Sequence, residues 1–457
     1  VALNQDKLFI PASTAKLFPA ATALTRLGMD FRYRTTVETA GNIGEGGSLA
    51  GDLVLVGRGD PNLSGRVLPY NGRTEREETG TRIFQELAAE VLSKGVRAVE
   101  GNLVVDDSYF VSQPHAPGWE VDDLQWGYGA AVSALAINDN VIVVDVLPGP
   151  RVGEIAVVRI QPMEGYYELD NRVLTIPRAG STPGGGASAS EPMLGMERRP
   201  GSTLLRMWGQ VTERSAGWRR ALAIEDPPRF AGEFFRQELA RQGVEVKGNV
   251  VVRRLESSDV ADLKGALRPP AVARGEVLAT HESAPLAESL QVILKVSQNL
   301  HAEMLLRTLG RERRNVGSAE AGVEEVNAFL KEMGVRERDV VLRDGSGLTR
   351  QNLATPAAMV ALLRHMQRSE LGAAWTAMLP IAGEDGSLAG RMRNTTLRRR
   401  AWVKTGNLSE VAALAGYVSN QQDELLAFAV FVNHHNMTNG TAALLLDRIV
   451  ELIARSR

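Results

Sequence analysis

The chain has 457 residues, too many for one ordinary hydrophobic core, so two or three domains are expected. Its 52 basic residues balance 54 acidic ones, which gives no basis for nucleic acid or an anionic membrane surface as the main partner. It has no cysteine, which excludes disulfides, thiolate catalysis and cysteine metal sites and suits an exported bacterial protein.

No apolar run approaches the length of about 18 residues that spans a bilayer, so no transmembrane segment is expected. The first residue is Val1, which points to a processed or truncated N-terminus. The stretch PASTAKLFPAATALTRLG predicts a helix from about Ser13 to Leu27 that closes at Gly28. A strand, RYRTTVETA (32–40), and a glycine-rich turn (41–51) follow. From there to about Val277 short β-rich runs dominate, among them DLVLVG, NLVVDD, NVIVVDVLP, EIAVVRI, RVLTIP, LLRMWGQV and NVVVRRL. Two amphipathic helices interrupt them, near 81–94 and 229–242, each ending at a glycine. The Gly/Ser-rich patch 179–190 reads as a mobile loop.

After Pro285, helical spacing returns in PLAESLQVILKVS, SQNLHAEMLLRTLG, SAEAGVEEVNAFLKEMG and TPAAMVALLRHMQ. Three strand-like runs then lie close together, AWVKTG, VAALAGYV and ELLAFAVFVN, and TAALLLDRIVELIA is a last amphipathic helix packed on that sheet. The order implies an α+β domain split by a β-rich insertion. The expected division is 1–41 with 278–457 for the split domain, 42–148 with 212–277 for an inserted α/β-rich domain, and 149–211 for a nested β-rich insertion.

Three short motifs each occur once: Ser13-x-x-Lys16, Ser297-Gln298-Asn299 and Lys404-Thr405-Gly406. Separately they read as a helix start, an N-cap region and a strand ending at a turn. Together, in this order and each at an element boundary, they point to chemistry. A serine hydroxyl is a poor nucleophile until a base takes its proton. Residues three apart on a helix share a face, which places the Lys16 amine beside the Ser13 oxygen. That amine is a base only when neutral, and burial or a second cation such as Lys404 lowers its pKa. Ser297 can pass a proton to a leaving amine, while Asn299 can hold Lys16 or a substrate amide. On an edge strand, Lys404, Thr405 and Gly406 offer a cation, a hydroxyl and an unhindered backbone on which a peptide can bind as an added strand. Its terminal carboxylate would lie on Thr405 and Lys404, with the Ser13 and Asn407 N–H groups as oxyanion donors.

On these motifs, and on GDLVLVGRGDPNLSG, GNLVVDDSYF, PGWEVDDLQWGYGAAVSALAINDN and DGSGLTRQNLATP, the chain resembles the class C low-molecular-mass penicillin-binding proteins of the penicillin-binding protein 4 type. The resemblance implies a serine β-lactamase/transpeptidase-like fold, an antiparallel sheet flanked by helices. It further implies an exported periplasmic or cell-envelope D-Ala-D-Ala carboxypeptidase/endopeptidase, acting on peptidoglycan stem peptides and captured covalently by β-lactam antibiotics. No metal or organic cofactor is implied. Ser13 would be the nucleophile and Lys16 the base, Ser297, Asn299 and Lys404 would assist, and Thr405 would bind the carboxylate. Matching positions for recognition of a diaminopimelate-type side-chain end are Trp119, Asp122, Tyr128, Arg350, Leu408 and Ser409. Asp122 would pair an ammonium and Arg350 a carboxylate, the competing reading being structural ion pairs. Two departures stand out: Gln298 replaces the usual Asp, and only twelve residues precede Ser13 where relatives carry a strand-forming segment.

The alternatives are a non-catalytic peptidoglycan-binding scaffold of the same fold and a β-lactamase. The chain lacks the Glu-x-x-Leu-Asn string of class A enzymes, its one Leu-Asn pair being Leu3-Asn4. HExxH spacing and Gly-x-Ser-x-Gly are absent, which argues against a metal hydrolase and a Ser–His–Asp hydrolase. The basic run RMRNTTLRRR (391–400) reads as a solvated loop rather than a polymer-attracting patch.

Overall fold

The computed structural model describes residues 2–72, 81–178, 194–258 and 275–456. The Gly/Ser-rich stretch 179–190 therefore lies outside the described residues. No helix among them is long and apolar enough to cross a membrane.

The three C-terminal runs form one antiparallel sheet in the order Ala401–Leu408, Val411–Ser419, Leu425–Asn433, with Lys404 opposite Ala415. The middle strand is buried along all but its last residue, which explains why VAALAGYV is continuously apolar rather than alternating. One face packs on a helical layer. That layer holds the buried Leu17–Leu27 helix and the Asn299–Arg314, Ala319–Glu332 and Pro356–Arg368 helices. The Asn439–Ala454 helix covers the other face through Ala442, Leu446 and Val450. This is the expected antiparallel sheet flanked by helices. Ahead of the sheet, Phe9 makes one bridge to Ala354, and the Ile10 N–H donates to the Asn433 side chain at 2.7 Å.

Between Tyr33 and Ser283 the chain leaves this layer and returns. The neck is tied by hydrogen bonds in both directions, Tyr33 N–H to Ser283 Oγ at 2.9 Å and Ser283 N–H to the Tyr33 carbonyl at 3.0 Å. The strands just beyond the neck, Arg34–Thr39 and Glu276–Glu282, pair antiparallel at one side of a five-stranded sheet. Leu53–Val56, Leu103–Val111 and Val250–Leu255 complete it. Residues 34–39, assigned by sequence to the split domain, thus lie in the inserted sheet. The Thr81–Ser93 and Pro227–Arg241 helices meet through Phe84 and Phe234, edge to face at 5.6 Å. Two three-stranded sheets extend the insertion. A single apolar cluster runs from Val37 through Ile142 to Val211, so segment 149–211 shares its core with the surrounding insertion.

The basic run 391–400 is largely solvent-exposed, as expected, and its arginines meet acids at the surface. Arg391 pairs with Asp447 at 2.5 Å, Arg398 and Arg399 with Glu384 at 2.8 and 3.0 Å, and Arg400 with Asp423 at 2.7 Å.

Candidate active site

The expected helix from Ser13 is two structures, a 3-10 turn over Ala12–Lys16 followed by an α-helix over Leu17–Leu27. Ser13 is not an N-cap; Pro11 holds that position and makes no side-chain cap bond. In a 3-10 turn, side chains at i and i+3 eclipse. Lys16 Nζ accordingly lies 2.9 Å from Ser13 Oγ. The turn is entered through Ala12 at φ 47°, a left-handed conformation that costs a non-glycine residue roughly 1–2 kcal/mol. Packing around it leaves no space for relaxation. A Cβ on Gly347 would come within 2.0 Å of the Ala12 carbonyl oxygen, and one on Gly406 within 3.0 Å of the Ser13 nitrogen. The edge strand carrying the third motif therefore backs directly onto the backbone of Ser13.

Lys16 is fully buried and has two further acceptors, Asn299 Oδ1 at 2.7 Å and the Ser346 carbonyl at 2.5 Å. Asn299 is oriented by its own amide, which donates to the Tyr128 carbonyl at 2.9 Å. Burial drives the Lys16 pKa from 10.5 down to about 7, against the opposing pull of the Asp344 and Glu303 carboxylates. Desolvation wins by roughly 5 kcal/mol. Burial is the largest influence favouring the neutral amine. In that form Lys16 keeps two N–H donors and one lone pair. The Asn299 and Ser346 oxygens can only accept, so they take the donors. The lone pair is left for the one partner able to donate, the Ser13 hydroxyl.

The second motif follows a π-helix, Val292–Val296, that ends at Ser297 in the left-handed conformation at φ 66°. The helix Asn299–Arg314 then starts, capped by Gln298, whose Oε1 accepts from Leu300 N–H at 2.7 Å. Ser297 is thus lifted out of both helices. Lys404, also fully buried, donates to Ser297 Oγ at 2.8 Å and to the Thr405 carbonyl at 2.8 Å. Burial and the neighbouring Lys16 both lower the Lys404 pKa well below its usual value. The two amines titrate as a pair, with too little solvation for both to remain charged. The third motif lies within its strand, which continues to Leu408. Thr405 Oγ1 bonds Ser387 Oγ at 2.9 Å, and Asn407 is exposed.

Of the positions expected to recognise a side-chain end, Tyr128 meets the motif residues through its carbonyl, which accepts from Asn299. Trp119 Nε1 donates to Asp344 at 3.0 Å, and Tyr128, half exposed, donates to Asp123 at 3.0 Å. Arg350 pairs with Glu120 at 3.0 Å, with Glu410 at 3.7 Å, and donates to the Ser409 carbonyl at 3.1 Å. Asp122 is exposed and makes no hydrogen bond or ion pair with a described residue. Leu408 packs with Ile10, Ala12 and Val411.

Several residues that sequence reasoning did not single out hold the site together. Glu303 accepts from Gly345 N–H at 2.9 Å and Ser346 N–H at 2.8 Å while paired to Arg307 at 2.9 Å, and all of these partners are buried. Asp344 accepts from Gly347, Thr349 and Asn352, shaping the loop that presents the Ser346 carbonyl. Asp139, at φ 58° in the insertion, accepts from Gln298 at 3.1 Å and Arg66 at 2.5 Å and contacts His301 at 2.9 Å. A buried Glu and Arg four apart in an apolar helix was a usable signal for Glu303. Ser387 and Asp139 carried none.

Residues 2–451 match the model of the D-Ala-D-Ala carboxypeptidase 3 (S13) family. The D-alanyl-D-alanine carboxypeptidase of Actinomadura sp. (strain R39) is 36% identical over 438 residues, covering 93% of this chain and 74% of that protein. D-alanyl-D-alanine carboxypeptidase DacB of Haemophilus influenzae is 26% identical over 437 residues, covering 95% of this chain and 82% of that one. The crystal structure of penicillin binding protein 4 (dacB) from Haemophilus influenzae superimposes with a TM-score of 0.81 at 24% identity, over 100% of this chain and 93% of its own. That likeness establishes the fold.

Proposed function

Because the chain belongs to the D-Ala-D-Ala carboxypeptidase 3 (S13) family, we propose that Ser13 is the nucleophile of its acyl transfer and Lys16 the base. The observation that carries this reading is the placement of one buried amine on Ser13, Asn299 and the Ser346 carbonyl.

Lys16 takes the Ser13 proton as Oγ bonds to the penultimate D-Ala carbonyl carbon, giving a tetrahedral oxyanion that the Ser13 and Asn407 N–H groups face. The C–N bond to the terminal D-Ala breaks. Ser297 delivers a proton to the departing amine and regains one from Lys404; the proton held by Lys16 then passes to Lys404, so that Lys16 is neutral again and serves as base when water hydrolyses the ester. The substrate carboxylate lies on Thr405, whose hydroxyl is fixed by Ser387. Gly406 lets the peptide approach the edge strand. At the other rim, Asp122 supplies a carboxylate for an ammonium. Arg350, with Trp119, Tyr128, Leu408 and Ser409, receives the rest of a zwitterionic diamino-acid end. Peptidoglycan stem peptides are the substrates, β-lactams the covalent inhibitors, and the exported cell envelope the compartment. The catalytic domain exchanges with the insertion at the Tyr33–Ser283 neck.

Gel labelling with a fluorescent penicillin, wild type beside Ser13→Ala, tests the assignment. Wild type alone should carry label. Label retained by the variant rejects Ser13 as nucleophile, an unlabelled wild type favours the scaffold alternative, and rapid release of label favours a β-lactamase.

A further inference from the structure

Two residues before Ser297 and two before Ser387, a further pair of side chains meets. Lys295, 3% exposed, belongs to the π-helix and donates to Asp385 Oδ2 at 2.5 Å and to the Leu379 carbonyl at 3.0 Å. The other oxygen of Asp385 accepts from Ile381 N–H at 2.8 Å. The two backbones also touch, since a Cβ on Gly386 would come within 2.6 Å of the Lys295 carbonyl oxygen. The Tyr70 ring, which comes from the insertion, lies over the Lys295 ammonium at 5.8 Å.

These contacts close a ring. Ser297 is bonded to Lys404, and Thr405, next in the strand, is bonded to Ser387. Asp385 and Lys295 then lead back to Ser297. Segment 379–388 is stitched to the motif strand by Val403 N–H to the Pro380 carbonyl at 2.9 Å and Ala382 N–H to the Ala401 carbonyl at 3.0 Å. Among the described residues these backbone bonds stop at Val403, short of Thr405. The end of the segment that carries Ser387 is anchored by the ion pair instead.

The substrate gives that anchor a purpose. On the reading above, Ser297 protonates the departing nitrogen and Thr405 binds the carboxylate of the same D-alanine. That nitrogen and the carboxyl carbon share one Cα and stand about 2.5 Å apart, so the two protein groups must keep a fixed separation. A largely buried ion pair adds little net stability, because desolvation offsets the attraction. What it supplies here is direction, each charge being drawn to two fixed partners.

We propose that Lys295 and Asp385 are positioning residues for the acyl transfer, their ion pair setting the span between the proton-donating Ser297 and the carboxylate-binding Thr405. This role rests on the acyl-transfer reading.

The test compares wild type, Asp385→Asn and Lys295→Met/Asp385→Asn. The double variant removes both charges and keeps an acceptor for Ile381 N–H, so its melting temperature should stay within about 5 °C of wild type. With a D-Ala-D-Ala tripeptide its kcat should fall about tenfold and its KM rise about fivefold. Asp385→Asn alone, which preserves shape, should move both in the same directions by about threefold. Phenylboronic acid can bond Ser13 but has neither a leaving amine nor a carboxylate, so its affinity should stay within about twofold in both variants. Unchanged kcat and KM in either variant, or a boronate affinity that falls as far as kcat/KM, overturns the positioning role while leaving the acyl-transfer reading intact. A wild type that neither labels with fluorescent penicillin nor releases D-alanine overturns that reading and the positioning role with it.

Discussion

The backbone carbonyl of Ser346 accepts a 2.5 Å hydrogen bond from Lys16, which lies 330 residues earlier in the chain. That contact and the one to Asn299 occupy two of the three positions around the amine and aim the third at Ser13. Glu303 fixes the carbonyl in turn, because its carboxylate holds the Ser346 and Gly345 N–H groups. The base is thus oriented by backbone as well as by its motif partner.

Penicillin acylation should rise with pH through about 7 as Lys16 gives up its proton. Measured as a second-order rate constant between pH 5 and 9, the profile should climb roughly tenfold per unit below the midpoint. Lys16→Arg, which stays charged, should lose about three orders of magnitude or more across the whole range. A flat wild-type profile would reject the neutral-amine base.

Stability should move with pH in the same sense. Lys16 titrates near 7 when folded and near 10.5 when unfolded, so between those values the unfolded chain binds more protons. The cost of burying the charge is full below about pH 7 and is relieved as pH rises toward 10.5, with Lys404 contributing in the same direction. Lys16→Met removes the Lys16 contribution. Between pH 7 and 9.5, the wild-type melting temperature should therefore rise relative to that of Lys16→Met; a constant difference contradicts the burial argument.

Gln298 is matched to the insertion rather than to the cleft. Its amide donates to Asp139, which also holds Arg66 and His301. Gln298→Asp keeps the helix cap but sets two carboxylates against each other, and should slow acylation about tenfold. Adding Asp139→Asn should recover most of that loss, giving a coupling of at least about 1 kcal/mol in a double-mutant cycle. Strictly additive rates would show that the bond does not position Ser297 and Asn299.

Ser387→Ala leaves Thr405 Oγ1 without its partner. Loss of one neutral hydrogen bond, about 1 kcal/mol, should raise the KM for a D-Ala-D-Ala peptide roughly fivefold. The kcat should change less than about twofold, because the carboxylate is bound equally in ground and transition states. A fall in kcat at constant KM would place Ser387 in the chemistry instead.

Much of the fold was legible because its periodicities are strong. The C-terminal sheet, its covering helix and the two helices of the insertion all stand where apolar spacing and glycine stops put them. The motifs were legible because reactive residue types at fixed spacing have few other uses. What sequence missed is conformational or long-range. The 3-10 turn at Ser13 and the π-helix before Ser297 bring non-glycine residues into left-handed φ, which no propensity favours. Asp139 and Ser387 act through partners distant in the chain. Arg350 does form structural ion pairs, the competing reading of that residue, but charge alone could not name Glu120 and Glu410 as its partners.

At the neck, Tyr33 and Ser283 are hydrogen-bonded neighbours although 250 positions part them. An excursion that departs and comes back within one strand spacing imposes almost no stretch on its host, so a recombination event could graft or remove the module while the remaining ends are rejoined by a short turn. The Gln298–Asp139 bond indicates why such a deletion would still be costly: the module supplies a partner to the residue that stands between Ser297 and Asn299.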